Sequence, residues 1–548
     1  MMLAMDMHLG RGFSFFSRGV LLALLVFVSG CVRGPVIHPP AEQMTIDRSV
    51  VEYPPGFELK TFVDNLTGPT AIAFDPDAFS GKGAILIAES GIGDHGTRIF
   101  GYTRSGEHDY FDKYFEIYPR NIRVPSFGLL RPSFMVKAPI GGMTVAQGKI
   151  FVTHRDYDDK GVVTAFDYDG NHKTIAAGFP SRGDYALTDI VVKGDRVYFG
   201  QGAATNSGVV GPDNWQVGWV KKYPRFSDRP FTTLKLLGYR FDAKNPRSGL
   251  LGGDDIARTA PFLPFGVSDL SWVRPNPDEL PTAAIYSASI AGDIPKLEAS
   301  GIRLPRGLAV NEFGRIFFTN NGMELRGTRP VKDDPDALLR LVPGTWYGWP
   351  DYSTNLQSIG EARFQPPLEL MRDSGYREIY NLLDHAASNP PNGLTPPDRD
   401  RSTLLQATFP PLVGAGKMTF VPNSGPFREF QGNLLVTLSG DRAPFATSGL
   451  KNFKGSPGYR VVLVNLDTDK GKVTDFLKNV NGQPASQLKL PRGTVALERP
   501  MDVKFGPDGA LYILDFGEME VKNGKEKVSR WTGRILRMVP ESAPTTAE

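Results

Sequence analysis

The residues of this 548-residue chain with the means to do chemistry fall into a few short runs. Lys332-Asp333-Asp334-Pro335-Asp336 gathers three carboxylates, and Asp156, Asp158 and Asp159 form a second acidic run. Either could offer oxygen ligands to a hard cation, or stand as a solvated acidic turn, because neither has the ligand spacing of a calcium loop. In Trp346-Tyr347-Gly348-Trp349-Pro350 the aromatic residues could form a face on which a sugar stacks, or a corner packed between elements. Glu324, Arg326 and Arg329 follow a strand end and suit the rim of a site for an anionic or hydroxylated ligand, or an internal ion network. There is no phosphate-cradling G-x-x-x-x-G-K-[ST] loop, no G-x-S-x-G and no His-x-x-x-His pair. With seven histidines in all, a histidine-rich metal centre is not expected, and the metal ligands are left unknown.

The elements that must position these residues repeat. Six times, two apolar-alternating segments flank a Gly/Asp/Asn turn: Gly68–Glu89, Gly142–His154, Leu187–Gly202, Arg306–Gly322, Lys417–Gly440 and Arg499–Gly517. Alternation at every second position is the strand period. A hairpin is marginal alone, so six copies predict six stacked sheets around an axis. The expectation is an all-β fold: a six-bladed β-propeller with four-stranded antiparallel blades and long inserted loops, spanning residues 53–540. Gly161–Tyr168, Gly458–Leu466 and Gly533–Met538 are candidates for the outer strands. Asp255–Glu279 and Leu356–Arg401 read as Pro-rich insertions, and Leu368–His385 as the best short helix.

Formal net charge is +3, with basic residues scattered among acidic ones, so no nucleic-acid partner is expected. Arg11, Arg18 and the apolar run Gly19–Val28 read as a secretory signal, too short to span a bilayer comfortably. Val28-Ser29-Gly30-Cys31 looks like a bacterial lipobox, and Cys31 is the only cysteine. The expected organisation is a lipoprotein signal peptide over 1–30, a lipid on Cys31, a tether over 31–52, the propeller, and a disordered tail over 541–548. That places the protein lipid-anchored in a bacterial cell envelope, facing the periplasm. Val32, not aspartate, follows the cysteine, which favours the outer membrane.

Three stretches, Gly200–Gly211, Asn320–Pro350 and Arg499–Gly517, together resemble the glucose/sorbosone dehydrogenase family. The resemblance covers most of residues 55–540, and Trp346-Tyr347-Gly348-Trp349-Pro350 is its most specific element. It implies a six-bladed propeller, pyrroloquinoline quinone (PQQ) with calcium as cofactors, and hydride transfer from a sugar hydroxyl carbon to the quinone. It further implies that Arg303 and Arg499, with Arg442 in the fifth blade, hold the quinone's carboxylates. From the residues themselves, Trp346, Tyr347, Glu324 and Arg326 are the candidates for the substrate side. In this chain the run Ile302-Arg303-Leu304-Pro305 has leucine where the family has asparagine, and Met501 stands for its second arginine. Tyr185, in Gly183-Asp184-Tyr185, stands where the family has its histidine base. With an ordinary pKa of about 10, a tyrosine is a poor proton acceptor at neutral pH. His154, at a strand end, is the other candidate base, or a histidine hydrogen-bonded to a neighbouring loop.

Two functions follow. One is a PQQ-dependent sugar or aldose dehydrogenase, passing its electrons to an unknown acceptor. The other is a non-catalytic propeller that binds a glycan, a cell-wall fragment or a protein partner on the same face.

Overall fold

In the sixth repeat, Val503 and Phe505 lie across from Ile513 and Leu511. The turn between them closes with Gly506 N–H donating to the Ala510 carbonyl at 2.9 Å, and Gly509 takes a φ of 74° that favours glycine. Each of the six repeats folds this way and supplies the two innermost strands of one blade.

The computed structural model describes residues 43–541 and the short strand Val36–Ile37, except 107–110, 121–133, 237–239, 249–253, 271, 373–396, 451–457, 468–470, 492 and 523. The signal segment, Cys31 and most of the tail lie outside the described residues, as does most of Leu368–His385, of which Leu368–Arg372 is helical. One compact unit runs from Ile37 to Glu548.

The fold is a six-bladed β-propeller whose blades are antiparallel four-stranded meanders. From the axis outward, blade 1 is Pro69–Asp75, Ala84–Gly91, Gly96–Thr103 and Lys113–Tyr118. Blade 2 is Lys137–Ala146, Lys149–Arg155, Gly161–Phe166 and His172–Phe179. Blade 3 is Leu187–Lys193, Arg196–Gln201, Ala284–Ser289 and Lys296–Ser300. Blade 4 is Pro305–Val310, Ile316–Asn320, Pro335–Arg340 and Leu405–Pro411. Blade 5 is Ala415–Phe420, Leu434–Leu438, Arg460–Val464 and Val473–Asn479. Blade 6 takes Pro500–Phe505, Leu511–Asp515 and Gly533–Pro540 from the end of the chain and Phe57–Leu66 from its beginning.

That last strand closes the ring. Leu59 pairs with Met538 and Thr61 with Leu536. Its side chains feed both neighbouring cores: Phe57 and Leu59 pack with Leu435, Val461 and Leu477, while Phe62, Val63 and Leu66 pack with Ile72, Ile85 and Ile87. Residues 44–52, expected as tether, are instead part of the packed domain. Ile46 and Val51 are buried in the same core as Leu59, and Val51–Glu52 extends blade 5 at its outer edge. Their apolar spacing was too sparse to read as a strand.

Hydroxyl-to-carbonyl bonds link successive blades near the axis. Thr70 donates to Ile140 O (2.8 Å), Thr153 to Thr188 O (2.6 Å), Thr188 to Pro305 O, Thr319 to Gly416 O (2.9 Å) and Thr437 to Met501 O (3.4 Å). The circuit returns to blade 1 where Ile72 N–H donates to Asp502 at 3.1 Å. Two long insertions depart from this regularity. Residues 202–283 of blade 3, with 321–334 and 341–364 on either side of the third strand of blade 4, build a separate apolar core from Phe241, Phe262, Met323, Trp346, Trp349 and Phe364, joined by Tyr185.

Because Leu59 is fully buried at the closure, Leu59→Ala should cost about 2–5 kcal/mol of unfolding free energy. The check is the urea midpoint at constant slope, with the 90% exposed Ile294→Ala as a control that stays within about 0.5 kcal/mol of the parent.

Candidate functional site

Side chains capping the inner hairpins fix what emerges at one end of the axis. Asp515, at the end of its strand, accepts the backbone N–H groups of Glu498 (2.6 Å) and Arg499 (2.8 Å) and so sets where Arg499 leaves the blade. Asn320 accepts Leu304 N–H at 3.0 Å and does the same for the Arg303–Arg306 run. Asp336 accepts Gly322 N–H (2.9 Å) and Ala415 N–H (2.7 Å), tying blade 4 to blade 5. The result is a cavity of about 220 Å³ to which all six blades contribute. That is smaller than the roughly 300–1,000 Å³ of most small-molecule pockets, suiting one compact ligand rather than a polymer. Lys417 is part of its lining, donating to Thr70 O at 2.6 Å and lying 3.6 Å from Asp189 and 3.7 Å from Asp502.

Tyr185, Arg303, Glu324, Arg442 and Arg499 all line this cavity, so five residues scattered along the sequence converge. Arg303 is committed to the protein: Nε donates to Asn206 O (2.9 Å), and Nη2 to Asn206 Oδ1 (2.9 Å) and the Tyr185 hydroxyl (2.7 Å). Asn206, within the Gly200–Gly211 stretch, also accepts Glu324 N–H at 2.8 Å and donates to the carbonyls of Glu324 and Arg326. Arg326 is fully buried among three carboxylates, Asp184 at 2.8 Å, Asp213 and Glu324, and its Nη2 lies 3.3 Å from the Tyr185 hydroxyl. Burial alone would raise the Glu324 pKa, but Arg326, Arg303 and Arg442 outweigh it and hold the group at about 2. Tyr185 therefore presents an oxygen clasped by two guanidinium groups.

Arg306, a residue the sequence reading did not single out, completes the site. Its Nη2 donates to the thioether of Met501 at 3.0 Å, a weak acceptor, and its Nη1 to Gly414 O at 3.4 Å. Burial, and then the charges of Arg442 and Arg499, pull its pKa below the ordinary range, against the pull of Asp336 and Glu526. Arg499 donates to Ser439 O and Asp441 O, both at 3.0 Å, and Arg442 pairs with Glu526 at 3.1 Å. The Nε atoms of Arg442 and Arg499 are buried without a hydrogen-bond partner among the described residues. Arg306, Arg442 and Arg499, from blades 4, 5 and 6, thus bring three guanidinium groups to the lining of one cavity. That donor set fits a ligand with several carboxylates. The missed signal was an arginine three residues after Arg303, in a chain whose Arg499-Pro500-Met501 run has only one.

Other candidates are placed elsewhere. His154 does not line the cavity. It is buried in blade 2, with Nε2 on the Thr164 hydroxyl (2.8 Å) and Nδ1 on the Arg155 carbonyl (2.7 Å), and burial pushes its pKa down to about 4. Its ring nitrogens are used by its own sheet, so it is not the base of this site. Trp346 and Tyr347 are buried and also absent from the lining. The Trp346 ring packs edge-on to Tyr352, and the Tyr347 hydroxyl donates to Arg340 O at 2.6 Å. They form a packed corner, not an open sugar-stacking face, because the insertions cover them. Arg329 anchors the same corner through Asp351 and the Pro350 carbonyl.

The acidic runs are structural. Asp334 accepts the N–H groups of Met323 (2.7 Å) and Thr354 (2.9 Å), and Asp159 is bound by Lys137, Lys222 and Tyr223. Among the described residues no group of three or more His, Cys, Asp or Glu side chains is placed to hold a metal. The calcium expected from the resemblance therefore finds no such donor set among the described residues.

The sequence matches no protein-family model and no curated protein. Structures of similar fold include the holo PQQ domain of pyranose dehydrogenase from Coprinopsis cinerea. It shares 14% identity over 90% of this chain and 98% of that one, with a TM-score of 0.48. The PQQ-bound aldose sugar dehydrogenase of Streptomyces coelicolor shares 14% identity over 89% and 99%, with a TM-score of 0.38. An α-L-arabinanase of Penicillium chrysogenum, solved with arabinobiose, shares 10% identity over 91% and 98%, with a TM-score of 0.30. Structural neighbours thus include PQQ-dependent sugar dehydrogenases and a glycan hydrolase. At these identities and scores, the chemistry has to come from this chain's own residues.

Burial raises the pKa of Asp228 to about 6, of Asp336 to about 6 and of Asp334 to about 7, against an ordinary 3.8. Between about pH 7 and 5 the folded chain takes up protons there that the unfolded chain does not, so acidification over this interval raises stability. Below about pH 4.5 the sign reverses at Glu324, whose stabilising charge is lost as pH falls toward its folded value of about 2. Thermal melts across pH 3–8 should give a maximum near pH 5 rather than at neutrality.

Proposed function

We propose that the axial cavity binds a compact polycarboxylate quinone of the pyrroloquinoline type and that the protein is a sugar or aldose dehydrogenase of the cell envelope. The observation that carries this reading is the convergence of Arg306, Arg442 and Arg499 on one small cavity. These three would hold the carboxylates, with Arg306 taking the part that Met501 cannot. Bound there, a quinone would supply the hydride acceptor for oxidation of a sugar hydroxyl carbon. The chain's own contribution is to orient and to exclude water. Asn206 and Arg303 lock the wall, Lys417 is part of the lining, and Tyr185 and Glu324 offer oxygen atoms at the substrate side.

A second reading, a binding propeller without turnover, is favoured by one specific observation. Among the described residues the cavity lining contains no histidine, and the Tyr185 hydroxyl is engaged by Arg303 and Arg326. Titration of the soluble domain with PQQ, followed by quinone absorbance, and dye reduction with a panel of aldoses separate the two. Saturable binding with dye reduction supports the dehydrogenase. Binding without reduction, and reduction appearing in Tyr185→His, supports the silent relative. No binding at all removes the quinone. Arg306→Met and Arg499→Met should each weaken PQQ binding at least tenfold, because each removes charge-assisted bonds worth about 1.5–3 kcal/mol.

We also propose that the protein is held to the membrane by a lipid on Cys31. In a bacterial host, Cys31→Ser should move the protein from the membrane fraction to the soluble one. Unchanged membrane association of that variant counts against the anchor.

A further inference from the structure

Between the second and third strands of blade 6 the chain runs out into a small hairpin, Met519–Lys522 paired with Lys525–Val528. Met519 pairs with Val528 and Val521 with Glu526, so strand alternation puts these four side chains on one face. The other face is Glu520, Lys522, Lys525 and Lys527, all exposed. On the first face Val521 and Val528 are buried, and Met519 and Glu526 line the axial cavity. Glu526 is thus a single charge on an otherwise apolar inward face.

The hairpin is held from two sides. At its base the Val528 carbonyl accepts from His95 Nε2, in a loop of blade 1, at 2.8 Å. The donor is fixed because His95 Nδ1 accepts from Arg530 Nε at 3.1 Å. At its far end Gly524 lies against the Pro212–Val217 helix of the blade 3 insertion, where a side chain on Gly524 would meet Val217 N at 3.0 Å. Blades 3 and 6 stand opposite each other in the ring, so hairpin and insertion together span the end of the axis. Val521 and Gly524 also line a second cavity of about 480 Å³, shared with Lys244 of blade 3 and Phe445 of blade 5.

Within this span, Glu526 pairs with Arg442 at 3.1 Å. Their side chains keep 28% and 24% of their surface exposed, so both can be reached from the cavity they line. The bonds made by the other two arginines go to neutral acceptors: Arg306 to a thioether and a carbonyl, Arg499 to two carbonyls. A ligand carboxylate approaching Arg442 therefore meets a carboxylate of the chain already there. The two are alike in charge and in the bonds they accept, so they compete for one guanidinium and repel each other beside it.

We propose that Glu526 is a latch: it occupies Arg442 and fastens the hairpin at the axial cavity, and a carboxylate of the ligand displaces it, so that binding and release of the hairpin are coupled. This rests on the reading of the axial cavity as a polycarboxylate site, and not on that ligand being a quinone.

The test uses the full chain and two probes, PQQ and benzene-1,2,4-tricarboxylate, which carries carboxylates without a quinone. Binding is measured by calorimetry, and the hairpin is followed by hydrogen exchange of its amides, in the parent, Glu526→Gln and Glu526→Ala. The first variant keeps shape and removes the charge, and the second removes the contact as well. At least one probe should bind the variants tighter than the parent by about threefold or more. The same probe should speed hairpin exchange in the parent, and Glu526→Ala should show fast exchange without it. In an Arg442→Met background, Glu526→Ala should bring no further gain. Probe binding that is equal or weaker in both variants overturns the latch and leaves the polycarboxylate reading standing, as does hairpin exchange that a bound probe leaves unchanged. Failure of both probes to bind the parent and the variants removes the polycarboxylate reading and the latch with it.

Discussion

A propeller exists only if its ring closes, and here closure rests on one strand. Phe57–Leu66, from the start of the domain, pairs with Gly533–Pro540 from its end. Without it, blade 6 would expose an unpaired edge, and the cores on either side would each lose a wall. Long-range pairing of this kind is entropically slow to form, yet once made it holds every other blade at a fixed angle. The threonine-to-carbonyl bonds between successive blades then act as spacers, each tying one inner hairpin to the next.

Everything functional sits on that fixed geometry. No single blade could build the axial cavity, because Arg306, Arg442 and Arg499 belong to three of them. Holding like charges at close quarters inside a protein is costly, and removing one partner of a buried ion pair costs more than the pair is worth. The structure meets this by spending Arg303 and Arg326 on Asn206, Tyr185 and carboxylates while Arg306, Arg442 and Arg499 line the cavity. The division separates residues that build the wall from residues that face the ligand.

How much was legible follows from range. The inner hairpins were readable because strand alternation and turn glycines are local, and all six fall where expected. The convergence of Tyr185, Arg303 and Arg499 was readable only through motif resemblance. Arg306 went unread because its meaning depends on Met501, 195 residues away. His154 looked available because a strand-end histidine has no sequence mark for burial, whereas in space Thr164 and the Arg155 carbonyl take both nitrogens. The second cavity is assembled from insertions with weak patterning, where neither period nor motif offers a signal.

By itself, then, the sequence determined the number of blades and which segments line the axis, since these depend on alternation within a dozen residues. Tertiary structure alone decided which arginines are tied up in the wall and which line the cavity, and which aromatic residues are packed rather than open. Each of those depends on the neighbours supplied by another blade, and only the closed ring brings those neighbours within hydrogen-bonding distance.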